Sequence, residues 1–197
     1  MTTSKSEALL HTPGHVKHDG HNLTGFIIFL CSESIIFFAF FVGYGVLKIT
    51  APTWYPDGVS GIAVKEPLIN TIILVSSSFV IYFAERYLHK KNYWGFRIVW
   101  LLTMLMGAYF VYGQYVEWSE LTFSLSSGVF GSLFYLLTGF HGLHVITGIL
   151  LMGLMLIRSF IPGNYDKGEM GVESISLFWH FVDVIWIILF ILIYVWQ

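Results

Sequence analysis

Residues Leu23–Leu47 read LTGFIIFLCSESIIFFAFFVGYGVL, and residues Ile175–Trp196 read ISLFWHFVDVIWIILFILIYVW. Crossing the hydrocarbon core of a bilayer takes roughly 20 apolar residues, because about 30 Å must be covered at about 1.5 Å per residue. Both stretches meet that length. Leu68–Ala84 with its flanks, Ile98–Val116 and Gly128–Ile157 meet it as well, so the sequence predicts an all-α, polytopic membrane bundle of five transmembrane helices. Composition agrees: 56% of the chain is hydrophobic and 11% is charged, whereas a soluble domain is about 25% charged. Residues 1–22 are polar and read as a mobile tail without a signal-peptide core, and residues 23–197 read as one five-helix transmembrane domain.

The formal net charge of -2, with neither sign in a long run, argues against nucleic acid and leaves membrane chains and lipid as partners. Lys and Arg favour the cytoplasmic side. With a cytoplasmic N-terminus, Lys5, Lys17, Arg86, Lys90, Lys91, Arg97, Arg158 and Lys167 fall inside, while Lys48 and Lys65 fall outside. The loop from Glu117 to Ser127 carries carboxylates and no base, which suits the outside, as does the C-terminus. Trp54, Tyr55, Tyr93, Trp94, Trp118, Tyr194 and Trp196 lie near the ends of the spans, where amphipathic rings favour the headgroup layer. The loop Ala51–Gly58, with Pro52 and Pro56, reads as a rigid turn.

Ionisable groups at membrane depth cost roughly 3 kcal/mol on insertion scales, so each one needs a reason to be there. Glu33 lies about 15 Å into the first span, where a carboxyl is expected to be neutral or hydrogen-bonded. It reads either as a link between helices or as a proton-exchanging or oxygen-path group. His141 and His144, three residues apart, share one face of the fourth span, with Gly139 and Gly142 beside them as sites of close helix approach. His180 and Asp183 repeat that spacing in the last span. Together Glu33, His141, His144, His180 and Asp183 form the candidate intramembrane polar cluster, with Glu33 expected to pair with His144. Ser76, Ser77 and Ser78 read as helix packing, and Arg158 as a contact to lipid headgroups. One cysteine, Cys31, and no second histidine pair in a span leave no complete metal-ligand set. The tail histidines His11, His15, His18 and His21 are interrupted by Pro13, Gly14 and Gly20, so no metal site is assigned there either.

The order of these features along the chain is more specific than any one of them. SESIIFFAFF at Ser32–Phe41, APT at Ala51–Thr53, INTIILVSSS at Ile69–Ser78, QYVEWSE at Gln114–Glu120, GFHGLHV at Gly139–Val145 and WHFVDVIW at Trp179–Trp186 together resemble subunit III of haem-copper cytochrome c oxidases, in the short five-helix bacterial form. The resemblance implies a subunit of an aa3-type oxidase that passes electrons from cytochrome c to oxygen and pumps protons. Such a subunit holds no haem or copper, packs beside subunits I and II, stabilises the complex, supports proton uptake and binds phospholipid. It implies a bacterial plasma membrane or an internal, thylakoid-type membrane. By motif, Glu33 matches the family's carbodiimide-reactive glutamate. Glu85 and Arg86 stand where many relatives have histidines, so no role of those histidines is carried over. The alternatives are the matching subunit of a quinol oxidase, an accessory subunit of a nitric oxide reductase and, more remotely, a small proton-coupled transporter using Glu33 and Asp183. The SES form of the first motif favours cytochrome c as donor.

The charge bias makes the orientation testable. A reporter fused after Gln197 is expected to be active only outside, and one inserted at Lys91 only inside; cytoplasmic activity of the C-terminal fusion removes the five-span arrangement.

Overall fold

The structure, a computed structural model, describes residues 19–56, 58–59, 61–163, 165 and 169–196, with side chains from residue 23 onward. Five helices account for most of them: α1 Asp19–Thr50, α2 Lys65–His89, α3 Tyr93–Glu120, α4 Gly128–Arg158 and α5 Met170–Phe190, the last continuing into a π-helical turn, Ile191–Val195. All five are long and apolar enough to cross a membrane, as the sequence predicts, and no strand occurs among the described residues. Most of the helices overrun their expected spans. α2 begins at Lys65 rather than Leu68, and α3 ends at Glu120 rather than Val116, because a helix satisfies its own backbone and keeps winding into the headgroup layer. The tail expectation for residues 1–22 falls largely outside the described residues, although α1 already begins at Asp19.

The connections turn tightly. Between α2 and α3, Lys91 takes a positive φ of 56°, and the Asn92 side-chain oxygen caps α3 by accepting from the Gly95 amide at 3.0 Å. Helices α2, α3, α4 and α5 close a ring in which each packs on the next, while α1 lies outside that ring against α4 and α5. Consequently α1 exposes apolar residues such as Ile28, Ile35, Phe38 and Ile49 along much of its length.

The ring closes around Trp179 of α5, which is fully buried. Its indole N–H donates to Ser77 Oγ of α2 at 2.7 Å. Its ring fills space that only glycine leaves open: a Cβ on Gly107 of α3 would stand 2.5 Å from the indole, and one on Gly148 of α4 would stand 2.9 Å from it. Two turns along α5, Trp186 donates to Thr71 of α2 at 2.9 Å. On the opposite wall, Trp100 of α3 donates to the Met152 carbonyl of α4 at 2.9 Å. Three buried indoles thus carry apolar surface between helices and spend their N–H groups on a neighbouring helix.

Close approach therefore occurs at Gly107 and Gly148, and more loosely at Gly139 against the Trp118 ring of α3, but not at Gly142. A Cβ on Gly142 would meet nothing within 4 Å. With Gly139 it lines an open groove of about 210 Å³ between α3 and α4, whose floor includes Phe110 and Thr138. The Trp118 ring of α3 meets α4 at Gly139, where a Cβ would stand 3.3 Å from it, and the hollow opens beside Gly142.

Overpacking a well-filled site typically costs about 1–3 kcal/mol. Gly107→Ala is therefore expected to lower the thermal midpoint of the detergent-solubilised protein by several degrees, with Gly148→Ala close behind and Gly142→Ala unchanged. Equal midpoints for Gly107→Ala and Gly142→Ala, read by circular dichroism at rising temperature, would show that the indole slot is not tight.

Candidate functional site

The five ionisable residues singled out in the sequence do not form one cluster. They separate into a pair, Glu33 with His144; a second pair, His180 and Asp183, which Ser78 completes as a triad; and a solitary imidazole, His141.

The pair joins α1 to α4. Glu33 Oε2 lies 3.2 Å from His144 Nε2, and both side chains are mostly buried. His144 Nδ1 lies 2.8 Å from the Phe140 carbonyl one turn earlier in α4. A carbonyl can only accept, so Nδ1 carries a hydrogen. That leaves two ways to make the contact at Nε2: a neutral imidazole accepts from a carboxylic acid, or an imidazolium donates to a carboxylate. Either way one proton lies between Glu33 and His144, and the pair as a whole is neutral. Phe37 and Phe140 enclose it, with ring centroids 5.1 Å and 4.8 Å from the imidazole. A small apolar-walled hollow of about 180 Å³, bordered by Phe26, Phe29 and Phe178, opens onto the carboxyl.

The triad joins α5 to α2. The Ser78 hydroxyl donates to Asp183 Oδ2 and lies 3.0 Å from His180 Nδ1. Its single hydrogen is committed to the carboxyl, so the imidazole is the donor in the second contact. Ser77 and Ser78, adjacent in sequence, thus serve different partners, the first taking Trp179 and the second the His180–Asp183 pair. The second oxygen of Asp183 is buried without a hydrogen-bond partner among the described residues.

His141 is fully buried and neither of its nitrogens has a hydrogen-bond partner among the described residues. Its ring lies between Trp186, at 4.8 Å, and the edge of Phe110, at 5.7 Å. Its three-residue spacing from His144 does not make the two rings converge on a common point: His144 turns toward α1, while His141 turns toward α3 and α5. Arg158 sits exposed in the last turn of α4.

The structure also holds polar contacts that sequence reasoning missed. Glu117, read from the sequence as part of an outer loop, belongs to the last turns of α3. Its Oε1 accepts from Tyr194 and its Oε2 from Gln114, both at 2.8 Å. Tyr194, in the π-helical turn that ends the last span, is buried inside the bundle and faces Glu117. The Gln114–Glu117 spacing was the available signal, since residues three apart on a helix are neighbours. At the opposite end of the bundle, His89 and Glu169 form an ion pair at 2.6 Å that ties the end of α2 to the start of α5. Arg97 of α3 donates to Ser159 Oγ at 3.1 Å beyond the end of α4, and its guanidinium packs 4.2 Å from the Phe160 ring centroid.

Chemically, these groups can exchange or share protons and fasten helices. A family model, cytochrome c oxidase subunit III, matches residues 6–197. Cytochrome c oxidase subunit 3 of Synechocystis sp. is 41% identical over 98% of this chain and 86% of its own length. That of Thermostichus vulcanus is 42% identical over 91% of this chain and 89% of its own. The longer protein of the same name from Oryctolagus cuniculus is 37% identical over 87% of this chain and 68% of its own. With the match spanning all five helices, including the segments that supply Glu33, His144, Ser78, His180 and Asp183, the chain belongs to the cytochrome c oxidase subunit III family.

Proposed function

We propose that this chain is the non-redox core subunit III of an oxidase that takes electrons from cytochrome c, reduces oxygen and pumps protons. The observation that carries the reading is the family match over residues 6–197, together with relatives named as this oxidase subunit at 41% and 42% identity. Its partners on this reading are subunits I and II, which hold the haem and copper, with phospholipid against the exposed apolar faces. The membrane is a bacterial plasma membrane or a thylakoid-type membrane, as befits relatives from Synechocystis sp. and Thermostichus vulcanus.

The internal polar groups favour a supporting role over a redox one. Glu33 and His144 share one proton in a neutral pair, which suits a link that holds α1 on the bundle and can also pass a proton when its surroundings change. His141 is enclosed by aromatic rings and so is poorly placed to join His144 around a common metal. The basic bias at the α2–α3 turn supports placing that turn and the N-terminus in the cytoplasm, and the C-terminus outside. Arg158, exposed at the same end as that turn, fits a contact with lipid phosphate.

Two measurements test the reading. The native protein solubilised in mild detergent is expected to co-purify with haem-bearing chains, while the separated subunit retains neither haem nor stoichiometric copper. One tightly held haem or copper per separated chain overturns the assignment.

Glu33→Gln is expected to keep assembly and most oxidase turnover, because an amide N–H still donates to a neutral His144 Nε2. Glu33→Ala removes the link and is expected to loosen the subunit during detergent purification, although the energy involved is only about 0.6 kcal/mol for a typical interhelical contact in a membrane. Loss of proton pumping in the Gln variant, with assembly intact, would instead give the pair a proton-exchanging role.

A further inference from the structure

The seam between α2 and α5 is closed along its length by polar contacts: Thr71 with Trp186, Ser77 with Trp179, and Ser78 with His180 and Asp183. Beyond the last of these, at the end of the bundle that carries the α2–α3 turn, the same two helices bring His89, in the last turn of α2, to Glu169 and Glu173, at the start of α5. One ligand atom from each of the three lies within 4.8 Å of the others. Among the described residues no other three His, Cys, Asp or Glu side chains come so close together. The oxidase reading makes no use of them.

The imidazole separates this set from a patch of surface acid. Carboxylates alone suit hard cations such as magnesium, whereas a histidine beside two carboxylates is a ligand set for zinc. Glu169 and Glu173 are four residues apart and so project from the same side of α5, while His89 meets them from another helix. His89 Nδ1 and Glu169 Oε2 stand 2.6 Å apart, a contact that needs a hydrogen between them. A metal in place of that hydrogen needs its nitrogen and oxygen ligands about 3.3 Å apart, for bonds of about 2.0 Å in tetrahedral geometry. The His89 side chain is 57% exposed, so it is free to open the contact by that fraction of an ångström, and solvent supplies the fourth ligand.

Two further features fit a ligand set. Glu173 makes no ion pair among the described residues, whose ion pairs are His89–Glu169 and His144–Glu33, so the single imidazole leaves one of two adjacent carboxylates uncompensated. Like charges held this close are costly, and a cation between them removes the cost. The bundle also holds the ligands in place. The amide of Glu173 donates to the Glu169 carbonyl, which puts both acids in one hydrogen-bonded turn, and the Trp179 contact with Ser77 fixes α5 against α2. Glu169 stands at the N-cap of α5 but its side chain caps no amide there; it reaches across to α2 instead. Ligands carried on packed helices need little ordering when a metal binds.

We propose that His89, Glu169 and Glu173 form a zinc site, with one imidazole and two carboxylate ligands and a water in the fourth position, which ties the last turn of α2 to the first turn of α5. Zinc takes the place of the proton that His89 and Glu169 share, so a proton leaves as the metal binds. The site lies at the surface and exchanges its metal with solution, unlike the haem and copper of the partner subunits.

The native assembly in mild detergent is stripped with a chelator and dialysed against radioactive zinc, beside an assembly carrying the Glu169→Gln, Glu173→Gln double variant. The parent is expected to hold one more zinc than the variant, a difference that cancels zinc bound elsewhere, the tail histidines included. His89→Gln, on the other helix, is expected to lose the same zinc. Glu173→Gln alone is expected to weaken it by about tenfold or more, since even an outer-shell partner of a metal is typically worth about 10–100-fold. Glu173→His is expected to keep it, because an imidazole is a ligand and an amide is not. Helix content, read by circular dichroism, checks that each variant folds. Equal zinc uptake by the parent, the double variant and His89→Gln overturns the proposal. So does displacement of the zinc by an equal concentration of magnesium, which would reduce the three residues to an acidic surface patch.

Discussion

The placement of the Trp179 indole constrains everything else in the bundle. One side chain of α5 reaches the other three helices of the ring at once: it donates to Ser77 of α2, fills the notch at Gly107 of α3 and lies against Gly148 of α4. Lipid tails are as apolar as leucine, so apolar burial alone does not drive helices together in a membrane; close packing and interhelical hydrogen bonds must do it. A large flat ring held between two glycines supplies the packing, and its N–H supplies the bond. Because the slot admits the ring in one position, it also sets the register of α5 against α2. Trp186 then meets Thr71, and His180 and Asp183 meet Ser78.

Ionisable groups inside the bundle follow from that register and from the cost of leaving them alone. Insertion of an isolated charge costs roughly 3 kcal/mol, whereas a polar contact between membrane helices returns about 0.6 kcal/mol. These contacts therefore add little to stability and act mainly to select one arrangement. That selection matters most for α1, which lies outside the ring. It is fastened by the Glu33–His144 pair in mid-span, by Phe37 and Phe40 packing on Phe140, and at its end by Lys48, which donates to the Trp196 carbonyl and lies 4.6 Å from the Trp196 ring centroid. A helix held by so few contacts leaves a long apolar face for lipid or for a neighbouring subunit.

Sequence reasoning went astray wherever proximity in sequence stood in for direction in space. His141 and His144 are three apart, but the angle of about 60° between such positions around a helix is enough to aim one at α1 and the other at the ring interior. Glu117 reads as loop, yet it lies in the last turns of α3 and accepts from Tyr194 at the end of the last span. Gly139 and Gly142 carry the small-residue pattern of helix contact, but only Gly139 meets α3, through Trp118, and Gly142 borders an open groove. The glycines that admit the Trp179 ring, Gly107 and Gly148, have no pattern around them that distinguishes them in the linear sequence.

From the sequence alone came the helix count, the approximate spans, the lipid environment, the family and the pairing of Glu33 with His144. All of these depend on quantities that are local or that add along the chain: hydropathy over a length set by the bilayer, motif order, and depth counted at a fixed rise per residue. Tertiary structure alone decided which helices form the ring, which faces of them meet, and hence that the polar residues divide into a pair, a triad and a solitary imidazole. It alone also brought His89 to Glu169 and Glu173 at one end of the bundle. Those outcomes depend on the rotation of each helix about its axis, which is fixed by a bulky ring meeting a missing Cβ on a different helix.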